Sequence, residues 1–174
     1  SIDLINSQPF ILELLIISLF NNPTKDTLCW YFNEGMLFKT FGKREIGQVL
    51  KIPQNANIKE IGNFWLYYES VINGTFYDDL ISRYPNNPDR AEIKDMMFKV
   101  MYSRNKDCKG DRYFIPYESE KKVFASIYPF VAEVIYLLKQ KGNAVLPNFL
   151  TNVESFVFID TIAKRLYDKG IIPL

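Results

Sequence analysis

Histidine is absent from this 174-residue chain, and cysteine occurs only twice, at Cys29 and Cys108. The first absence excludes every catalytic triad built on an imidazole. The two cysteines lie far apart with no CxxC spacing, so nothing supports a structural zinc site. They read as reduced, buried or idle thiols, which fits a cytoplasmic protein. Long hydrophobic runs are missing too. Pro9 to Phe20 is too short to span a bilayer and lacks the basic leader of a signal peptide, so no membrane partner is expected. Charge of one sign is also lacking: 21 Lys and Arg stand against 20 Asp and Glu. Overall charge therefore makes no case for nucleic acid. There is no internal repeat and no low-complexity segment.

What is present is apolar and aromatic. The chain is 48% hydrophobic and 16% aromatic, enough for a real core and unlike a disordered segment. Its length suits one compact domain, or a domain with part of a second. Both ends fall in apolar runs, Ser1 to Ile5 and Ile171 to Leu174, and read as cut through structure, as in a piece of a larger protein. Cations gather locally: from Arg90 to Arg112 there are seven Lys/Arg against four Asp/Glu. That suits a phosphate-facing surface, and equally a mixed helical face.

The chain is organised around R-A-E-I-K-D-M-M-F-K-V-M-Y-S, Arg90 to Ser103. Arg90, Lys94, Phe98 and Tyr102 recur every four residues, each about 40° round an α-helix from the last. They form a slanting stripe of two cations and two aromatics. Cations suit a triphosphate, and an aromatic face suits a base or sugar. The same spacing also describes an aromatic core stripe with a solvated edge.

The pattern predicts a mainly α fold with a minor strand contribution from Ser1–Ile5 and Ile171–Leu174. Asn6-Ser7 offers capping side chains and Pro9 suits a first turn, so Phe10 to Phe20 reads as a helix buried on several sides. Asn21 to Asn33 reads as a loop, and Met36 to Phe41 as an apolar patch of open type between Gly35 and Gly42. Arg44 to Leu50 reads as a short helix, and Pro53 to Asn57 as a turn. Asn57 to Ile72 reads as a helix facing inward through Ile58, Ile61, Trp65 and Tyr68, stopped by Asn73-Gly74. Thr75 reads as the cap of a short helix whose first turn holds Asp78 and Asp79, favoured there by the dipole. Pro88-Asp89 launches the central helix, and Asn105 to Arg112 reads as a polar loop. Tyr117 to Ile127, Pro129 to Lys141 and Leu146 to Asp168 read as further helices, the last stopped by Lys169-Gly170.

The spacing Arg-x3-Lys-x3-Phe-x3-Tyr resembles motif B of the family A DNA polymerases, the fingers helix over the incoming nucleotide. The family usually has Gly after the Tyr, where this chain has Ser103. The segment S-I-D-L-I-N-S-Q-P-F-I-L resembles motif A, in which a strand delivers a metal-binding aspartate, here Asp3. It is one residue longer than the family's pattern. Either Gln8 or Phe10 therefore takes the place of the glutamate that crowds a ribose 2′-hydroxyl. N-G-T-F-Y-D-D-L resembles the stretch before the fingers helix. In F-L-T-N-V-E-S, Thr151 or Asn152 stands near the family's glutamine on the helix against the primer-template, and Glu154 is set aside because its charge opposes phosphate.

The resemblance, of a phage or mobile-element type, implies a palm strand and helix over 1–20 and a helical fingers region over 21–145. Within the latter the motif B helix spans 88–104, and a palm helix and strand start occupy 146–174. It implies nucleotidyl transfer of a dNTP to a primer 3′-hydroxyl, with primer-template DNA as partner. Asp3 would bind Mg2+ and act in catalysis. Arg90 and Lys94 would hold the triphosphate, Lys94 with a catalytic part. Phe98 would pack near the sugar and Tyr102 at the base end, with Gln8 beside them. Ser103, Arg104, Thr151 and Asn152 would face DNA. The thumb and motif C, with its second aspartate, would come from the remainder of the polymerase, leaving this piece inactive alone. Two rivals remain. A single-subunit RNA polymerase shares the Arg, Lys and Tyr spacing but usually has Met where Phe98 stands. A non-enzymatic helical module would bury the aromatic stripe and use Trp30 and Trp65 for a partner.

Overall fold

The computed structural model describes residues 7–20, 32, 34–52, 58–157, 162 and 164–171. The first helix, α1 (Ser7–Phe20), is apolar on almost every side, and Ile11, Leu12, Leu15 and Ile16 are all buried. Such a helix is stable only inside a ring of others. α1 packs on α4 (Ile58–Ile72) and on α9 (Val145–Ser155). The apolar patch of open type resolves into α2 (Glu34–Phe41), separated from α3 (Lys43–Val49) by Gly42 at φ 95°. A side chain is strained at that angle.

The most connected element is α8 (Pro129–Leu138), opened by proline at its first position. It packs on α3, α4, α9 and α7 (Glu118–Ile127). α5 (Phe76–Arg83) packs on α6 (Arg90–Tyr102), which meets α7 and α9. Where α4, α5 and α8 converge, Tyr67, Phe76 and Tyr128 are fully buried, with ring centres 5.3 Å apart for Tyr67–Phe76 and Tyr67–Tyr128. Edge-on contacts of this kind add to simple area burial.

The mainly helical expectation holds among the described residues, and the strands described there fall where none was expected. β1 (Asp107–Lys109) pairs antiparallel with β2 (Arg112–Phe114) where the sequence reads as a polar loop. The expected strand at Ser1–Ile5 lies outside the described residues, as does 172–174, and Ile171 is not in a strand. The inward face of α4 is Phe64, Tyr67 and Val71, while Trp65 is exposed, so the Trp65/Tyr68 stripe is off by a turn fraction. Thr75 occupies the cap position of α5 without bonding the first turn; its hydroxyl goes to the Ser70 carbonyl. Of the last expected helix, residues 158–161 and 163 lie outside the described residues. α9 ends at Ser155 and widens into a π-type turn at Phe156–Val157, and α10 (Lys164–Asp168) follows. Gly170, at φ 73°, closes α10: its N–H reaches Tyr167 O and the Ile171 N–H reaches Leu166 O, both at 2.8 Å. That is the double bond pattern of a glycine-stopped helix. Cys108 is free and exposed rather than buried, and Cys29 lies outside the described residues.

Two ionisable side chains sit in this core. Glu13 is 1% exposed, its Oε2 has no hydrogen-bond partner among the described residues, and burial pushes its carboxyl up to about 7. Lys139 is buried just past α8, and its ammonium donates to the Val100 carbonyl at 3.1 Å. That carbonyl lies in the last turn of α6, beyond reach of a helical N–H. Burial, then the nearby Lys121, push Lys139 down to about 8.

Candidate functional site

The site is built on α6, and its first turn is fixed by local chemistry. The Asp89 carboxylate accepts from the Glu92 N–H at 2.8 Å, and the Glu92 carboxylate accepts from the Asp89 N–H at 2.9 Å. This reciprocal cap satisfies two donors that the helix leaves open. It also sets the rotation of α6. Ile93, Met96, Met97, Val100 and Met101 turn into the core. Lys94, Phe98 and Tyr102 turn to a cleft of about 340 Å³.

Arg90 lies at the edge of that stripe. Its guanidinium pairs with Asp78 at 3.0 Å, and its centre is 5.6 Å from the middle of the Tyr77 ring. Both partners are well exposed, so the pair holds α5 to α6 only weakly. Lys94 stands over the same ring at 5.8 Å and lines the cleft, with no ion pair among the described residues. Burial raises the Tyr77 hydroxyl, partly offset by Arg90. Phe98 is 57% exposed, with its ring centre 5.4 Å from that of Tyr102. The stripe is therefore not the core face of α6, and Arg90 is paired at the surface rather than to an internal carboxylate.

Tyr102 is half-buried and donates to Gln8 Oε1 at 2.6 Å across 94 residues of sequence. The other end of that amide, Nε2, donates to Glu154 Oε2 at 3.4 Å, and the Ser7 hydroxyl donates to Glu154 Oε1. Ser7 thus reaches across to α9 instead of capping its own helix. One hydrogen-bonded chain runs from α6 through the start of α1 to α9. Each polar group in it has a partner, as partly buried groups require. Gln8, not Phe10, lies in the cleft; Phe10 is 42% exposed and does not line it.

The other expected residues divide. Ser103 ends α6 at φ −73°, so the backbone there needs no glycine, and its buried hydroxyl has no partner. Arg104 is exposed and paired with Asp107 at 3.1 Å, away from the cleft. Thr151 and Asn152 are exposed on α9 and do not line the cleft. Glu154, set aside for its charge, is the α9 residue that does. The signal was its place at the edge of the buried stripe Leu146–Leu150–Val153. Asp3 lies outside the described residues. Among the described residues no group of three His, Cys, Asp or Glu is placed to hold a metal. The carboxylate in the cleft, Glu154, already serves Ser7 and Gln8.

Among the described residues no helix is long and apolar enough to cross a membrane. The architecture and cleft define a mainly helical domain with an open, cation- and aromatic-edged groove. No protein-family model matches the chain, and neither the curated proteins nor the solved structures compared with it give a match.

Proposed function

We propose that the chain supplies the fingers and adjoining palm of a family A DNA polymerase, and that the cleft beside α6 receives a deoxynucleoside triphosphate. The observation that carries this reading is the Tyr102–Gln8 hydrogen bond at 2.6 Å. It joins the stretch that resembles motif B to the stretch that resembles motif A, beside Lys94, which makes no ion pair among the described residues.

In this reading Lys94 offsets the charge of the triphosphate, with Arg90 at the outer edge. The open ring of Phe98 offers a face to sugar or base. Gln8, clamped between Tyr102 and Glu154, forms the floor against which a 2′-hydroxyl would press. The primer 3′-hydroxyl attacks the α-phosphorus, and pyrophosphate leaves. Magnesium belongs to the proposal through Asp3 alone.

In the full-length polymerase that this reading implies, Lys94→Ala raises the nucleotide KM or lowers turnover by about tenfold or more, the size of a lost charged hydrogen bond. Unchanged kinetics would remove the triphosphate role. Preference for rNTP over dNTP would move the assignment to a single-subunit RNA polymerase. The 174-residue chain alone is expected not to extend a primer, because one candidate carboxylate cannot hold two metal ions. Sustained metal-dependent extension by it would contradict that expectation.

A further inference from the structure

We propose that the β1–β2 hairpin is a binding site for single-stranded DNA, holding bases on Tyr113 and Phe114 and phosphates on Lys109 and Arg112. The hairpin stands clear of the core. Tyr113 is 81% exposed and Phe114 47%, and both strands are solvent-facing along almost their whole length. A two-stranded ribbon has no hydrophobic face of its own to bury these rings.

The register places Lys109 directly opposite Arg112, at either side of a turn through Gly110 at φ 61°. Like charges opposite one another weaken a hairpin unless something negative lies against them. Neither has an ion pair among the described residues. Asp107 is already engaged by Arg104 at 3.1 Å and by the Cys108 N–H at 2.9 Å. Two carboxylates oppose phosphate there: the exposed Asp111 in the turn, and Asp107, which shares the face of Lys109 and Arg112 but is paired with Arg104. Lys106, with Tyr113 and Phe114, lines a shallow hollow at the base of the hairpin.

Residues an even number apart share a face, so Lys109, Arg112 and Phe114 lie on one side and Tyr113 on the other. A flexible single strand can wrap such an edge, giving phosphates to the cations and a base to each ring. A stiff duplex cannot. Exposed aromatics interleaved with cations are what sequence-tolerant single-strand binding uses. The inference rests on the polymerase reading only in choosing DNA over RNA.

The test is fluorescence anisotropy of a labelled oligothymidylate of about 15 nucleotides with the 174-residue chain. Replacing both rings, Tyr113→Ala with Phe114→Ala, should weaken binding by about tenfold or more. Replacing both cations, Lys109→Ala with Arg112→Ala, should flatten the salt dependence of log K by about 1.4. Circular dichroism should show unchanged helix in both, because these side chains are exposed. No binding by the wild type, wild-type affinity in the ring variant, an unchanged salt slope in the cation variant, or tighter binding of oligouridylate would each overturn the proposal. The two readings separate by site: oligonucleotide binding by the hairpin variants bears on this proposal alone, and nucleotide kinetics of Lys94→Ala in the full-length polymerase bear on the cleft alone.

Discussion

Ile93 and Lys94 are neighbours in sequence and belong to different worlds. Ile93 is fully buried beside Met97, Val100 and Met101, whereas Lys94 faces the cleft with Phe98, which is 57% exposed. The core face of α6 is apolar and packed on its neighbours. The cleft face carries a cation and an open ring held only by ring contacts, Lys94 to Tyr77 at 5.8 Å and Phe98 to Tyr102 at 5.4 Å. Carboxylates divide the same way. Glu154, at the cleft, accepts from Ser7 and Gln8; Glu13, in the core, leaves Oε2 without a partner among the described residues. Polar groups at the cleft support one another, while the one on the buried side of α1 is a cost the fold carries. Stability resides in the first face, and nothing about stability accounts for the second.

The sharpest way to break this comparison is Ile93→Ala. A fully buried Ile truncated to Ala loses its transfer energy and leaves a cavity, about 2–5 kcal/mol in unfolding free energy. Urea titration followed by circular dichroism measures it. A loss under about 1 kcal/mol would show that α6 is not anchored by this face.

The next effect belongs to Glu13. Its carboxyl rises from 4.5 to about 7 on folding, so between these pH values the folded chain binds more protons than the unfolded one. Stability from this group is therefore greatest below pH 4.5 and is lost as pH rises towards 7. The size is on the order of 3 kcal/mol. Lys139, lowered to about 8, works in the opposite sense, and its contribution improves as pH climbs from 8 to 10.5. The check is the difference in unfolding free energy between wild type and Glu13→Gln, followed across the acid range. A constant difference would show that Glu13 does not change its proton affinity on folding.

Much of this division was legible in the sequence. Pro88-Asp89 announced the start of α6, and the four-residue step of Arg90, Lys94, Phe98 and Tyr102 gave its outer stripe; the part of Glu92 in the cap came only with the structure. Gly74 and Gly170 ended helices where expected, each at positive φ. Other features depend on packing that no local pattern carries. Phe64, Tyr67 and Val71 and the set through Trp65 and Tyr68 both repeat at helical spacing, and only contact with α8 and α1 selects the first. The hairpin hid because Lys109-Gly110-Asp111-Arg112 reads as a polar loop, although a glycine beside an aspartate is also a tight turn. Glu154 entered the cleft through partners 146 residues or more away, a distance no local rule spans.

The smallest stability effect belongs to Lys94→Ala, and its smallness is the point. Lys94 makes no ion pair among the described residues, and its cation–ring contact with Tyr77 is long, at 5.8 Å. Its removal should change unfolding free energy by no more than about 0.5 kcal/mol, as for an ordinary surface position. The same substitution is the one expected to damage nucleotide handling. A residue whose loss leaves the fold untouched and the kinetics impaired is held in place for a ligand. Should Lys94→Ala instead destabilise the chain as Ile93→Ala does, the two faces of α6 would be one structural unit, and the cation in the cleft would need no substrate to explain it.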